Sequence, residues 1–338
     1  MTSSFDPNGV GLVNGNLFGL PCSYESAHII VWGIPWEVTV SYGSGTAQGP
    51  QSILRESPQL DLYDFDQPMG WKQGIYLAGI PEFIHCKSDS LKTKAEQIIA
   101  AISQGHTLQS SPIAALLTEI NQECERLNQW VYDQAKIVLN QQKKLVLLGG
   151  DHSIPLGYLQ ALGEVYDTFG ILQIDAHSDL RQAYQGFQYS HASIMTNVLQ
   201  IPAVTKLVQV GVRDVCAAEV TQVQESQGRI VTYYDPALKA QLHQGKPWQT
   251  LCEEIVAHLP QLVYVTVDVD GLDPKLCPHT GTPVPGGLEL EALFCLLRAA
   301  IHSGRQLIGF DICEVGNGIW DGNVGARILY KLCNLMSI

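Results

Sequence analysis

The chain lacks a C-x-x-C pair, a basic stretch at its start and an apolar run long enough to cross a bilayer, and each absence removes a class of protein. Its nine cysteines, at 22, 86, 124, 216, 252, 277, 295, 313 and 333, are scattered singly. That pattern excludes a zinc ribbon or redox pair and points to reduced, mostly buried thiols. No Lys or Arg precedes Arg55, so the basic n-region of a signal peptide is missing. No apolar run approaches the roughly 18–20 residues of a membrane span. The expected location is cytoplasmic. Basic charge is scarce: 20 Lys and Arg face 33 Asp and Glu, a net charge of −13 over 338 residues. Nucleic-acid and anionic-membrane partners, which want clustered cations, are therefore not expected. With 46% hydrophobic residues, the chain has enough apolar material for a large core, which excludes a disordered or disulfide-stapled chain.

What is present is a repeated pattern. Short β-branched runs end in Gly/Asp-rich turns and alternate with helix-length segments. Strands are expected at Ile29–Gly33, Lys144–Leu148, Gly170–Ile174, Lys206–Val210, Ile230–Tyr233, Leu262–Val267 and Leu307–Phe310. Helices are expected at Ile113–Asn140, Ile154–Leu162, Trp248–Leu259, Leu288–Ser303 and Val324–Leu335. Nearly continuous apolar strands imply a parallel sheet covered on both faces, an α/β three-layer domain. Residues 1–28 read as an N-terminal surface arm and 29–338 as a single domain. The more polar segment 81–112 reads as a surface excursion.

Ligands of open α/β sheets bind beyond the carboxyl ends of the strands, and the polar clusters fall there. Strand 144–148 runs into Gly149-Gly150-Asp151-His152-Ser153, strand 170–174 into Asp175-Ala176-His177-Ser178-Asp179, and strand 262–267 into Asp268-Val269-Asp270. A fourth, 307–310, ends in Asp311-Ile312-Cys313-Glu314. Asp175, His177 and Asp179 lie at i, i+2 and i+4, so an extended backbone puts them on one face. Asp268 and Asp270 repeat the arrangement. If these strand ends are neighbours, four carboxylates converge with His177 and His152, which a dry crevice tolerates only with compensating cations. Four Asp and two His without a thiolate suit two Mn²⁺ better than structural zinc, with Fe²⁺, Co²⁺ and Ni²⁺ also open. Two such ions can acidify a shared water into a nucleophile.

Each cluster alone has a blander explanation, because an Asp between a strand and a helix is commonly an N-cap or turn residue. That reading suits Asp151 and Asp273. It does not account for three clusters at once with His inside two of them.

The motifs GGDHS (149–153), DAHSD (175–179) and VDVDGLDP (267–274) resemble, in order, the three signatures of the ureohydrolase family of arginases and agmatinases. The resemblance runs from about residue 29 to Val315. It implies a three-layer α/β sandwich around a mostly parallel sheet of about eight strands. Position by position, it implies that His152, Asp175, Asp179 and Asp268 hold one Mn²⁺. His177, Asp175, Asp268 and Asp270 would hold the other. Glu314 matches the family's guanidinium-binding glutamate and His191 its proton-shuttling histidine. Relatives are often trimers or hexamers, which implies a homo-oligomer.

The reaction implied is hydrolysis of a guanidino group to urea and an amine. The loop Leu180–Gln188 lacks the Asn/Ser set with which arginases grip an amino-acid head group, and Pro285 looks agmatinase-like. Agmatine, cleaved to putrescine and urea in polyamine biosynthesis, is the expected substrate. Arg181 is the candidate that argues otherwise: facing the pocket it would bind a carboxylate, and facing outward it would be a surface or subunit contact. His279 either narrows the entrance or sits on its rim. The alternatives are an arginase, a guanidinobutyrase, a guanidinase, a formimino hydrolase, a non-catalytic metal-binding regulator and a dinuclear phosphatase.

Overall fold

Eight strands carry the apolar runs: β1 Ile29–Ile34, β2 Ile75–Gly79, β3 Lys144–Gly149, β4 Phe169–Ile174, β5 Val204–Val210, β6 Ile230–Tyr233, β7 Leu262–Asp268 and β8 Gln306–Cys313. In the computed structural model, which describes residues 5–337, they form one sheet in the order β2-β1-β3-β8-β7-β4-β5-β6. Every neighbouring pair is parallel. Alternate residues of a strand face opposite sides, and the core divides accordingly. Val146, Leu148, Leu172, Ile174, Val265 and Val267 join one apolar cluster. Leu145, Leu147, Ile171 and Tyr264 join the other.

Ten helices cover the two faces among the described residues: α1 Gly49–Glu56, α2 Glu82–Ser103, α3 Ser111–Asn140, α4 Leu156–Val165, α5 Ile194–Val198, α6 Ala217–Glu225, α7 Asp235–His243, α8 Trp248–Ala257, α9 Leu290–His302 and α10 Ile319–Leu335. The first cluster takes Ile53 of α1 with buried residues of α8, α9 and α10. The second takes those of α2 to α5. This is a three-layer α/β sandwich.

Three expectations need correction. Segment 81–112 holds the 22-residue helix α2. Only Ile84, Ser88, Leu91, Ala95 and Ile98 of it are buried, a stripe narrow enough to make the sequence look merely polar. The helix also has a structural task. Its Ser88 Oγ accepts from Glu37 N at 2.9 Å, and Lys92 pairs with the Glu37 carboxylate. Glu37 in turn accepts from the backbone N–H groups of Gly45 and Ala47, both at 2.8 Å, fixing the loop beside the site.

The second correction is β2, an edge strand absent from the expected set and buried fully only at Ile75. The third concerns the arm, whose first four residues lie outside those described. Leu17, Phe18 and Leu20 are core residues. The Asn16 side chain donates to Ile75 O at 3.1 Å and accepts from Leu77 N at 2.9 Å. It thereby occupies groups that an edge strand would otherwise expose.

Candidate metal centre

Strands β3, β8, β7 and β4 are consecutive in the sheet, so the four polar strand ends found in the sequence lie side by side. Ile174 pairs with Val267, which brings Asp175 and Asp268 off adjacent strands at one level. The close approach depends on Gly271, where a Cβ would stand 2.5 Å from Asp175 N.

The six expected metal ligands come together in two groups. His152 Nδ1 lies 3.0 Å from Asp175 Oδ2, 3.0 Å from Asp179 Oδ2 and 3.5 Å from Asp268 Oδ2. His177 Nδ1 lies 3.5 Å from Asp175 Oδ1 and 3.0 Å from Asp270 Oδ2. Asp175 belongs to both, one oxygen to each. The turn reading and the ligand reading hold together, because these aspartates divide their oxygens. Asp268 Oδ1 accepts from Asp270 N at 2.9 Å and Asp270 Oδ1 from Ala176 N at 3.0 Å, leaving each Oδ2 to the cluster. Asp151 and Asp273 are turn residues, accepting from Ser153 N at 3.0 Å and Lys275 N at 3.1 Å.

The electrostatics test whether this donor set fits cations. Burial, then Asp270, Asp175 and Glu314, pushes Asp268 far above the usual carboxylate range. Burial and then Asp175 push Asp179 up to about 7. Burial would depress His177, but Asp270 and Asp175 outweigh it and hold the imidazole up to about 12. Asp175 is driven down against its burial by His152 and His177. The pocket thus holds more negative charge than it can keep without added positive charge, and protons on the imidazoles stand in for it. Two divalent cations, +4 against four aspartates, fit the donor set.

Glu314, which follows β8, is buried and accepts from His152 N at 3.0 Å through Oε1. Burial, then Asp151 and Asp270, raises its carboxyl well above the usual range. Asp179 and Glu314 sit at φ 55° and 63°, left-handed conformations that cost a non-glycine residue about 1 kcal/mol or more and concentrate at functional sites. A cavity of about 170 Å³ is lined by His177, Asp179, His191, Arg181, Tyr184, Asp214 and Thr282. His191 Nδ1 is 3.4 Å from the hydroxyls of Thr39 and Ser190. Burial, then positive charge on His177 and His152, lowers its pKa to about 4, so the ring is neutral. Arg181 is part of the cavity lining, its guanidinium 4.9 Å from the centre of the Tyr184 ring. His279 is not among the residues lining that cavity; its side chain is 59% exposed and bonded through Nδ1 to Asp321 at 2.8 Å.

A larger hollow of about 680 Å³ opens at the other end of the sheet, by Lys144, Leu262 and Gln306. No carboxylate or imidazole lines it, whereas the smaller cavity is bounded by His177, Asp179 and His191.

Sequence reasoning overlooked two elements of the site. Arg213, after β5, donates to the carbonyls of Gly211 at 3.0 Å, Asp270 at 2.6 Å, Leu272 at 3.1 Å and Val284 at 2.9 Å. It ties three loops together beneath the ligands. Thr266 Oγ1 lies 2.7 Å from His152 Nε2 and donates to Asp311 at 2.9 Å. The available signal was a polar residue inside an apolar strand.

A parallel α/β sheet whose carboxyl edge gathers carboxylates and imidazoles beside a small cavity has the donor groups of a metal-binding enzyme. The chain belongs to the arginase family, whose model matches residues 27–333. Members of that family are hydrolases acting on guanidino C–N bonds, and this chain is a ureohydrolase of the family. It is 30% identical to an N(1)-aminopropylagmatine ureohydrolase of Thermus thermophilus over 93% of its length and 92% of that protein's. It is 25% identical to an agmatinase of Halalkalibacterium halodurans over 87% and 85% of the two chains. Its fold matches that of the agmatine ureohydrolase of Thermoplasma volcanium with a TM-score of 0.71, at 22% identity, over 96% and 94%.

Proposed function

We propose that this chain hydrolyses agmatine to putrescine and urea at a two-Mn²⁺ centre. His152, Asp175, Asp179 and Asp268 would hold one ion. Asp175, His177, Asp268 and Asp270 would hold the other. The observation that carries this reading is the pair of ligand groups joined through Asp175, with Glu314 bonded to the backbone of one ligand. When bound, the ions supply Lewis acidity that makes a shared water a nucleophile near neutral pH.

The chain's own residues then divide the remaining work. Glu314 accepts N–H bonds from the guanidinium and sets its carbon in line for attack. Room for that contact exists at Gly281, where even a Cβ would come within 3.1 Å of Glu314 Oε2. His191 starts neutral, so it takes a proton released in the attack and hands it to the departing amine nitrogen. The C–N bond breaks as the carbonyl of urea forms, and the amine leaves protonated.

Support for an amine-ended substrate comes from Asp214, an exposed carboxylate on the cavity wall with no ion pair among the described residues. A second reading, a guanidino acid, is favoured by Arg181, on the same wall and also without an ion pair there. Urea release from agmatine, arginine, guanidinobutyrate and guanidine, after loading with Mn²⁺ or Ni²⁺, separates these readings. Agmatine is expected to be cleaved fastest. Preference for guanidinobutyrate would transfer the assignment to the acid, and cleavage of none would overturn it.

A further inference from the structure

One register level of the sheet is polar across five adjacent strands. Thr232, Gln209, Gln173, Thr266 and Asp311 pair in succession from β6 through β5, β4 and β7 to β8. Such residues are costly inside a parallel sheet unless hydrogen-bonded, and these are bonded in two arms. In one arm Thr232 donates to Gln209 and Gln209 to Gln173, both at 2.7 Å, and Gln173 donates to Asp175 Oδ2 at 2.8 Å. In the other, Asp311 receives Thr266 Oγ1 at 2.9 Å through one oxygen and the Tyr264 hydroxyl at 2.8 Å through the other. Thr266, Asp311, Tyr264 and His152 are all fully buried.

The second arm has a direction. Thr266 has one hydroxyl proton, and Asp311 takes it. The hydroxyl oxygen is then left only as an acceptor, and the atom facing it at 2.7 Å is His152 Nε2. A proton on Nε2 frees the lone pair of Nδ1, the nitrogen that faces Asp175, Asp179 and Asp268.

We infer that Thr266 and Asp311 are positioning residues that fix the tautomer and ring orientation of His152, so that its Nδ1 is presented as a metal ligand. The inference rests on the metal-centre reading above. The arm touches only the His152 group, leaving the group of His177 and Asp270 intact, so its loss acts on one of two ions. Removing a hydrogen-bond partner of this kind weakens a metal ligand by about 10–100-fold.

The test is Mn²⁺ binding by equilibrium dialysis, with electron paramagnetic resonance of the bound ions, on wild type, Thr266→Val and Thr266→Ser. Valine keeps the shape and deletes the hydroxyl, while serine keeps the hydroxyl. Thr266→Ala replaces the valine variant if the added methyl disturbs packing. Wild type is expected to bind two ions with a spin-coupled spectrum. Thr266→Val should hold one ion at wild-type strength and the second about 10–100-fold more weakly, with an uncoupled spectrum at limiting metal. Thr266→Ser should restore both. Two ions bound by Thr266→Val as tightly as by wild type would overturn the inference, and so would equal loss in the serine variant. A wild-type chain that takes up no Mn²⁺ would overturn the metal-centre reading and this one with it.

Discussion

Arg213→Met removes the guanidinium that joins the ends of β5 and β7 to the 280–287 loop while keeping most of the side-chain volume. Four carbonyl oxygens, those of Gly211, Asp270, Leu272 and Val284, lose a charged donor at 2.6–3.1 Å. A hydrogen bond to a charged group contributes about 1.5–3 kcal/mol, but Arg213 is only partly buried and water can reach some of these oxygens. Taking about 1 kcal/mol for each of four gives a loss near 4 kcal/mol, with neighbouring bonds not strictly additive. Because the Asp270 carbonyl belongs to a ligand residue, Mn²⁺ affinity should fall with stability. Arg213→Lys, with three donors on a point charge, should recover only part of either. Urea-induced unfolding of the metal-free chain and Mn²⁺ titration of the folded variant check both effects. A loss under about 1 kcal/mol, on the same per-bond scale, with unchanged metal affinity would refute the reasoning.

Asp175→Asn removes the carboxylate shared by both ligand groups, so at least one ion should be lost and turnover abolished, as metal analysis beside a urea assay would show; full activity with two ions bound would sink the shared-ligand geometry. His191→Ala should slow turnover by about 10²–10⁴-fold and leave metal content unchanged, because His191 lines the cavity outside both ligand groups. Metal loss in that variant would mean the residue's role is misassigned.

The candidate site was legible because its chemistry sits where a local rule places it. Polar residues at the carboxyl ends of apolar strands, spaced by two, share a face whatever the rest of the chain does. Strand adjacency was not legible: β3 and β4 follow one another in sequence, yet β8 and β7 lie between them. That insertion is what makes the four polar ends neighbours. Helix α2 was missed because much of its surface meets solvent, so its composition resembles a loop. Edge strand β2 was missed although Ile75-Tyr76-Leu77-Ala78 is apolar, because a run this short does not by itself distinguish a strand. Gln173 and Thr266 stood in plain view as polar residues in buried strands, but their partners lie on other strands, and pairing across a sheet has no signature within any single one.

The central claim is that two ions sit between six side chains and share Asp175. A crystal of the chain loaded with Mn²⁺, measured at the manganese absorption edge, tests it most directly. Two anomalous peaks are expected, one bounded by His152, Asp175, Asp179 and Asp268 and one by Asp175, His177, Asp268 and Asp270. A single peak, or peaks bounded by other side chains, would contradict it.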